Sequence, residues 1–274
     1  MTSITRRQVL DLLLGLVIVA VLLFPLYWMV NVSLTRPQDL LSRTPSLFPQ
    51  NPTLDGYVQA IQTQVPSLVT SLIIALGTVL LTLALSLPAA FAMSKLKTRG
   101  TGAVLFLLLL AQMIPGVILA SALFVIYNAV GLLNTYPGLI LANATAAVPL
   151  AVIILRAFML QVPDSLLEAA RIDGASSFRV FSTIMVPLSR NAIVTASLFA
   201  FLFSWADFLN ARSLTSGNEI VPFTLALFRF IGAQTTNWNA VMATAVLASI
   251  PATVLLILAQ RYVAAGITAG AVKD

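Results

Sequence analysis

The chain has 274 residues, of which 59% are hydrophobic and only 9% are charged, and its net charge at pH 7 is +6. A soluble domain carries about 25% charged residues, so this composition excludes a soluble protein and requires that much of the surface face lipid. The chain has no cysteine and no histidine. This excludes disulfide and thiol chemistry and removes the usual metal ligand and general base.

Six stretches of the chain reach the length of roughly 20 apolar residues that a membrane-spanning helix needs. The uncharged stretch between Arg99 and Arg156 is too long for one helix, and a turn rich in Gly, Asn and Pro at 130–138 divides it. The first apolar run is longer than that of a signal peptide, so we expect a retained span. The sequence predicts an all-α polytopic membrane protein with six transmembrane helices, at about residues 12–32, 67–93, 103–127, 137–155, 191–211 and 238–260.

The distribution of Lys and Arg predicts the orientation of these helices. With the N-terminus inside, eleven basic residues lie on inner segments and four on outer segments. Basic residues are enriched in cytoplasmic loops, so both termini are expected in the cytoplasm. The positive net charge then reflects membrane orientation, and we expect no nucleic-acid partner.

Two outer segments carry signs of additional structure. Residues 35–66 are polar and rich in proline, with a short helix predicted at 54–61. Residues 221–232 are apolar but too short to cross the membrane. They form either a re-entrant or interfacial helix, or a segment that packs on the outer ends of its neighbours.

The loop at residues 161–190 is the most informative segment of the chain. Pro163 is a plausible boundary, and Ser165 precedes Glu168 by three residues, which is the capping-box spacing at a helix start. Gly174 then interrupts the helix-forming run, at a position where a left-handed turn residue suits a helix end. We therefore predict a short helix that ends at a glycine turn.

A second helix is predicted after that turn. Ser176 or Ser177 can cap its start, and Pro187 is expected to stop it. Its apolar residues recur at spacings of three and four, which indicates an amphipathic helix. They are Phe178, Phe181, Ile184 and Met185.

Two interpretations of this helix–turn–helix loop remain open on physical grounds. It lies on the lipid headgroups, anchored by Arg171 and Arg179, or it docks into a groove of a soluble partner. Acidic residues are poorly suited to an anionic inner leaflet, so Asp164, Glu168 and Asp173 favour a protein partner.

The loop resembles the cytoplasmic loop of permease subunits of binding-protein-dependent ABC importers. The matching pattern comprises Glu168, Ala169, Ala170, Gly174, Ile184, Val186 and Pro187. The family usually has Leu at the position of Val186. The run Asp173, Gly174 and Ala175, together with Phe181, is similar to the carbohydrate branch of the family.

Other segments extend this resemblance over nearly the whole chain. The Gly-rich tail at 264–274 is similar to that of the maltose-type second permease, where the tail reaches between two ATPase subunits. The run SWADFLNA at 204–211 resembles a Trp-Asn-Asp-Phe run of that branch, with Ala206 where Asn is common. The sequences KLKTRG at 95–100 and NTYPGLI at 134–140 also agree with this resemblance.

The resemblance implies a single importer transmembrane domain over residues 1–274, in the bacterial cytoplasmic (inner) membrane. It implies a second permease subunit as heterodimer partner, two ATPase subunits, an extracytoplasmic solute-binding protein, surrounding membrane lipid and a sugar or related polyol as substrate. The coupling residues that it implies are Glu168, Ala169, Ala170, Asp173, Gly174, Ala175, Phe178, Phe181 and Pro187.

The chain itself lacks the sequence features of an ATPase or another enzyme. It contains no GxxxxGK[ST] phosphate-binding loop and no carboxylate pair at catalytic spacing. We therefore expect a transport subunit that binds no cofactor or metal and has no catalytic residue, with ATP and Mg on the partner ATPase subunits. Helix motion by alternating access would follow movement of the loop.

Polar side chains inside spans are costly and mark candidate positions on the solute path. The candidates are Gln112, Asn143, Ser204, Trp205, Asp207 and Asn210. Hydrogen bonding between helices is the alternative role, and Asp207 is alternatively a partner of Arg212 or of the binding protein. Pro115 and Pro149 lie inside predicted spans and either kink them or only pack there.

Two other function classes compete with the importer. An ion-coupled secondary transporter usually has intramembrane charges and inverted repeats, whereas only Asp207 lies within a span and no repeat is visible. A membrane scaffold or sensor without transport is the remaining alternative.

Overall fold

The computed structural model describes residues 6–42, 46–96, 98–233 and 237–271, and every regular element in these ranges is helical. This agrees with the predicted all-α class. The helices are α1 (Arg6–Leu34), α2 (Pro37–Leu40), α3 (Asp55–Lys95), α4 (Thr101–Ala111), α5 (Gly116–Val130), α6 (Tyr136–Gln161), α7 (Asp164–Ile172), α8 (Ser177–Val180), α9 (Val186–Leu188), α10 (Arg190–Trp205), α11 (Leu209–Leu214), α12 (Phe223–Ala233) and α13 (Trp238–Ala271), with a π-helical turn at Phe181–Met185 between α8 and α9.

Four of the helices in the described ranges, α1, α3, α6 and α13, are long and apolar enough to cross a membrane. Two further pairs of helices meet at sharp bends: α4 and α5 at 97°, and Ser177–Leu188 and α10 at 77°. The candidate spans number six if each bent pair crosses as one span.

The predicted third span, 103–127, is not one continuous helix. It is broken between Ala111 and Gly116, and Pro115 precedes α5 with φ −57° and ψ 129°. Proline has no N–H and disfavours helical geometry in the residue before it, which accounts for a break at this position. Pro149, in contrast, lies inside the continuous helix α6.

Other predicted boundaries also differ from those observed. The short helix expected at 54–61 is the beginning of α3, which continues through Pro66 and Pro88 to Lys95. The predicted fifth span, 191–211, is interrupted after Trp205, and α11 begins at Leu209. The apolar segment at 221–232 forms most of the short helix α12.

The chain divides into two units, and two of the three divisions within helices fall at prolines. One unit comprises residues 1–65 and 227–250 and the other residues 66–226 and 251–274, so that α3 divides at Pro66 and α13 at Pro251. In the first unit, Phe230, Ala240 and Val241 form a small buried cluster.

In the second unit, one buried core joins α3, α6 and α10 to the 161–190 loop. A second core, around Tyr127, Leu139 and Leu214, joins α5, α6 and α11. Near it, the predicted turn at 130–138 is confirmed: Gly131 ends α5 with φ +72°, and Asn134 has φ +56°.

Candidate coupling loop and polar cluster

The 161–190 loop begins where α6 ends. Val162 follows the last helical residue, and Pro163 directly precedes α7, whose first residue is Asp164. The predicted capping box of Ser165 and Glu168 is wrong, because the helix begins at Asp164 and its N-cap residue is Pro163 rather than Ser165. Proline at the boundary leaves no N–H to satisfy there.

Gly174 forms the predicted turn between the two helices. Its φ is +84°, in the left-handed region that favours glycine. The amide of Gly174 donates to the carbonyl of Arg171 at 3.0 Å, and that of Ala175 donates to the carbonyl of Ala170 at 2.9 Å. These bonds satisfy carbonyl groups at the end of α7 and define the direction in which the chain leaves it.

Ser176 caps the second helix, as the sequence predicts. Its hydroxyl accepts a hydrogen bond from the amide of Arg179 at 3.3 Å. The prediction that Pro187 stops this helix is wrong, because helical structure continues to Leu188 and the bend follows at Ser189. A π-helical turn at Phe181–Met185 precedes the proline, and this wider turn relieves the clash that a proline ring causes in an α-helix.

The inner face of the loop is part of the protein core. Leu167, Val180 and Met185 are at most 3% exposed and belong to one cluster with residues of α3, α6 and α10. Ala170, Ala175 and Phe181 pack against the same cluster, and the Phe181 ring lies 5.3 Å from that of Phe91 in α3. The loop is therefore closely packed into one core with the three helices that hold it.

The outer face of the loop presents apolar side chains. Ile172 is 87% exposed and Phe178 75% exposed, although large apolar residues normally avoid water. The remaining predicted coupling residues are exposed as well: Glu168, Ala169, Asp173, Gly174 and Pro187. The nine predicted residues thus divide between a face that contacts the core and a face that is free to contact a partner.

Lys95 connects the end of α3 to the loop. Its Nζ donates to the carboxylate of Asp164 at 2.7 Å and to the carbonyl of Val162 at 2.6 Å. The Lys95 side chain is 3% exposed and that of Asp164 70% exposed. A cation is favoured beside the free carbonyls at a helix C-terminus, so Lys95 ties α3 to the junction of α6 and α7.

Four of the predicted path residues form a second site, the polar cluster: Asn143, Ser204, Asp207 and Asn210. Asp207 lies in the break between α10 and α11, and its carboxylate accepts from the amides of Asn210 and Ala211, both at 3.2 Å. The Asn210 side chain donates to Asp207 at 3.2 Å and to Asn143 at 3.3 Å. Asp207 therefore caps α11, and within the described residues it forms no ion pair with Arg212.

The polar cluster is closely packed in this structure. The Ser204 hydroxyl lies 3.2 Å from that of Thr78. Ser71, Asn143, Ser204 and Asp207 line a cavity of about 10 Å³, which is close to the smallest cavity that can hold one water molecule.

The other two predicted path residues lie apart from this cavity. Trp205 is 5% exposed, its ring stacked on Phe201 at 5.4 Å and tilted against Phe223 at 4.9 Å. Its aromatic faces are occupied in this conformation. Gln112 lies at the break after α4 and donates to the carbonyl of Ala146 at 3.3 Å.

Sequence reasoning missed several residues of both sites. Ile172 could have been found from the sequence, because it is a large apolar residue within a charged segment. Lys95, Ser71 and Thr78 could not, because their partners are distant in the chain. Within the described residues, no group of three or more Asp or Glu side chains could hold a metal ion.

Comparison with known proteins identifies the family. Residues 83–269 match the family described as binding-protein-dependent transport system inner membrane components. The chain belongs to this family. It is therefore a permease subunit of an ABC importer and a multi-pass inner-membrane protein, and its role is in transport rather than catalysis.

Similar permeases cover almost the full length of the chain. The trehalose transport system permease protein SugB of Mycobacterium tuberculosis is 34% identical over 98% of each chain. The trehalose/maltose transport system permease protein MalG of Thermococcus litoralis is 33% identical, over 98% of this chain and 99% of the relative. A chain of a bacterial ABC transporter that imports the acidic polysaccharide alginate shares the fold, with a TM-score of 0.82 at 21% identity over 96% of this chain and 99% of that chain.

The predicted Gly-rich tail is only partly described. Helix α13 continues to Ala271, and residues 272–274 lie outside the described residues. Lys97 of the KLKTRG segment and Arg43 lie outside them as well.

Proposed function

We propose that this permease imports a saccharide or a related polyol, with trehalose and maltose as the first candidates. The two relatives named above carry these sugars in their names and cover nearly the entire chain. A second, non-identical permease subunit would complete the path, and an external binding protein would deliver the solute.

The coupling mechanism follows from the two faces of the 161–190 loop. We infer that Ile172 and Phe178 insert into a groove of a partner ATPase subunit, with Glu168 and Asp173 at the rim. ATP and Mg would be bound by the two ATPase subunits. The observation that supports this best is the inner face of the loop, which shares one buried core with α3, α6 and α10. Displacement of the loop would therefore move these helices as one body and open the path alternately to each side.

The orientation is a further part of the proposal. The basic residues favour an arrangement in which both termini and the 161–190 loop face the cytoplasm. The polar cluster then lies toward the outer side. Acidic residues on the loop, such as Asp164 and Glu168, support contact with protein over contact with an anionic membrane surface.

For the solute path we propose the residues around the small cavity. Asn143 and Ser204 are buried. The amide of Asn143 and the hydroxyl of Ser204 can each form hydrogen bonds with sugar hydroxyls. Asp207 and Asn210 hold α11 through the bonds described above, so their part in solute binding would require a rearrangement on opening. Gln112 and Trp205 are the weaker candidates, because each contacts other parts of the protein.

Reconstitution tests both parts of the proposal. The permease, its partner permease, two ATPase subunits and binding protein are placed in proteoliposomes, and uptake of trehalose, maltose and glycerol phosphate is measured with and without ATP. We expect ATP-dependent uptake of a disaccharide. Uptake driven by an ion gradient without ATP would contradict the coupling mechanism, and ATP-dependent uptake of glycerol phosphate alone would contradict the saccharide assignment.

A further inference from the structure

An apolar groove in the second unit shares two lining residues with a neighbouring basic recess. The groove encloses about 430 Å³ and is bounded by α3, α10 and α13. Leu198 and Phe201 form its buried floor, and Leu76 and Leu258, at 50% and 63% exposure, form its open rims. The basic recess encloses about 410 Å³ and is lined by Arg190, Asn191, Arg261 and Tyr262. Arg261 and Tyr262 line both cavities.

The recess concentrates positive charge without a neutralising acid. None of its four lining residues is acidic, and in the described part of the chain neither Arg190 nor Arg261 forms an ion pair. Arg261 donates to the Tyr262 hydroxyl at 2.7 Å, and its guanidinium carbon lies 4.7 Å from the centre of that ring. These contacts orient Arg261, and among the described residues they leave most of its five N–H donors available.

The dimensions of the groove match one leaflet of a bilayer. Taken together, the recess and the groove follow α10 from Arg190 to Phe201, which is about 16 Å at 1.5 Å per residue. The hydrocarbon core of a bilayer is about 30 Å thick, so one leaflet contributes about 15 Å. A chain lying in the groove with its end at Arg190 would therefore reach from the headgroup level to the centre of the membrane.

We propose that the groove and recess together bind one anionic phospholipid, with an acyl chain along Leu198 and Phe201 and the phosphate between Arg190 and Arg261. Basic pockets between transmembrane helices are suited to anionic headgroups, and tyrosine is favoured at this depth. A helix of another subunit would have to supply an acidic group at the level of the arginines. An anionic phospholipid already combines an apolar chain for the groove with a negative charge for the recess. The site adds a lipid ligand to the proposed transport function and does not depend on which solute is carried.

Native mass spectrometry of the assembled importer, extracted from membranes containing phosphatidylglycerol and phosphatidylcholine, tests this site. Each basic residue near an anionic surface contributes about 1 kcal/mol, so the double variant Arg190→Gln/Arg261→Gln is expected to retain phosphatidylglycerol about 30-fold more weakly. Ser197→Trp, which fills the groove, should have a similar effect. The control Arg99→Gln removes an exposed charge elsewhere and should retain the lipid as the wild type does.

Three outcomes would overturn the proposal. Equal phosphatidylglycerol retention in the double variant and the control would show that the recess does not hold the headgroup. Displacement of the lipid by soluble glycerol phosphate would show that the acyl groove contributes nothing. Release of the second permease subunit by Ser197→Trp, with lipid retention unchanged, would assign the groove to a subunit contact.

Discussion

The ammonium group of Lys95 lies 2.7 Å from the carboxylate of Asp164, and the two residues are 69 positions apart in the chain. The same ammonium group donates to the carbonyl of Val162 at 2.6 Å. This places the end of α3 against the start of the 161–190 loop. Lys95 therefore joins α3 to the start of α7 by a direct contact, in addition to the apolar core that both helices share.

The contribution of this contact can be separated by two substitutions. Asp164→Asn neutralises the carboxylate that pairs with Lys95, and an ion pair with a largely exposed carboxylate contributes about 0–1 kcal/mol, so thermal stability and uptake should stay near normal. Lys95→Met also removes the donor to Val162 and should destabilise the protein by roughly 1–3 kcal/mol. We expect Lys95→Met to reduce the solute transported per ATP hydrolysed in proteoliposomes. Identical ratios in wild type and Lys95→Met would refute a transmitting role for this contact.

Gly174 should tolerate only residues that accept positive φ. Open space surrounds the position where a Cβ would stand, so strain comes from the backbone alone. Gly174→Val should insert into the membrane normally but lose most transport, because a β-branched residue resists φ +84°. Gly174→Asn should keep most of it, since Asn enters the left-handed region more easily. Uptake assays at equal membrane expression distinguish the two, and equal activity of both variants would contradict the importance of the turn.

The exposed apolar face of the loop should dominate ATPase binding. Ile172→Asp replaces the most exposed of these side chains by a charge, and we expect affinity for the ATPase subunit to fall more than tenfold, as at central interface residues. The matched control is Leu47→Asp, at a position 61% exposed and predicted on the opposite side of the membrane. Affinities are measured with the purified ATPase in nanodiscs. Equal affinity of both variants would exclude Ile172 from the interface.

Substitutions of Asp207 should show whether the polar cluster stabilises the fold or binds the solute. Asp207→Ala removes the acceptors that cap α11 and should lower stability by about 0.5–2 kcal/mol. Asp207→Asn keeps one oxygen acceptor and should be close to wild type in stability. If the cap is its main role, KM for the solute changes little in Asp207→Asn. A large rise in KM with unchanged thermal stability would instead indicate direct solute contact.

Local features of the coupling loop were predictable because they depend on neighbouring residues. The left-handed turn at Gly174 and the Ser176 cap follow from steric freedom and a short polar side chain. The capping box failed because Pro163 and Asp164 begin the helix one residue before Ser165. Pro187 was expected to end its helix, but the preceding π-helical turn accommodates it.

Features that depend on distant residues were not predictable. The roles of Lys95 and Thr78 require partners more than sixty residues away, and the burial of Trp205 depends on Phe223 in a separate helix. Hydropathy gave the approximate positions of the spans. A kink at Pro115 was one of two alternatives that the sequence offered, and the 97° bend between α4 and α5 confirms it.

The central claim, that the 161–190 loop docks onto an ATPase subunit, is tested most directly by crosslinking. The chain contains no cysteine, so Ile172→Cys introduces a single reactive thiol, and Leu47→Cys provides the control on the opposite side. In the assembled importer, a short thiol-reactive crosslinker should join Ile172→Cys, and not Leu47→Cys, to the ATPase subunit. If Ile172→Cys yields no ATPase adduct and its thiol is instead modified by a lipid-anchored maleimide, the loop lies in the membrane surface and the docking claim is contradicted.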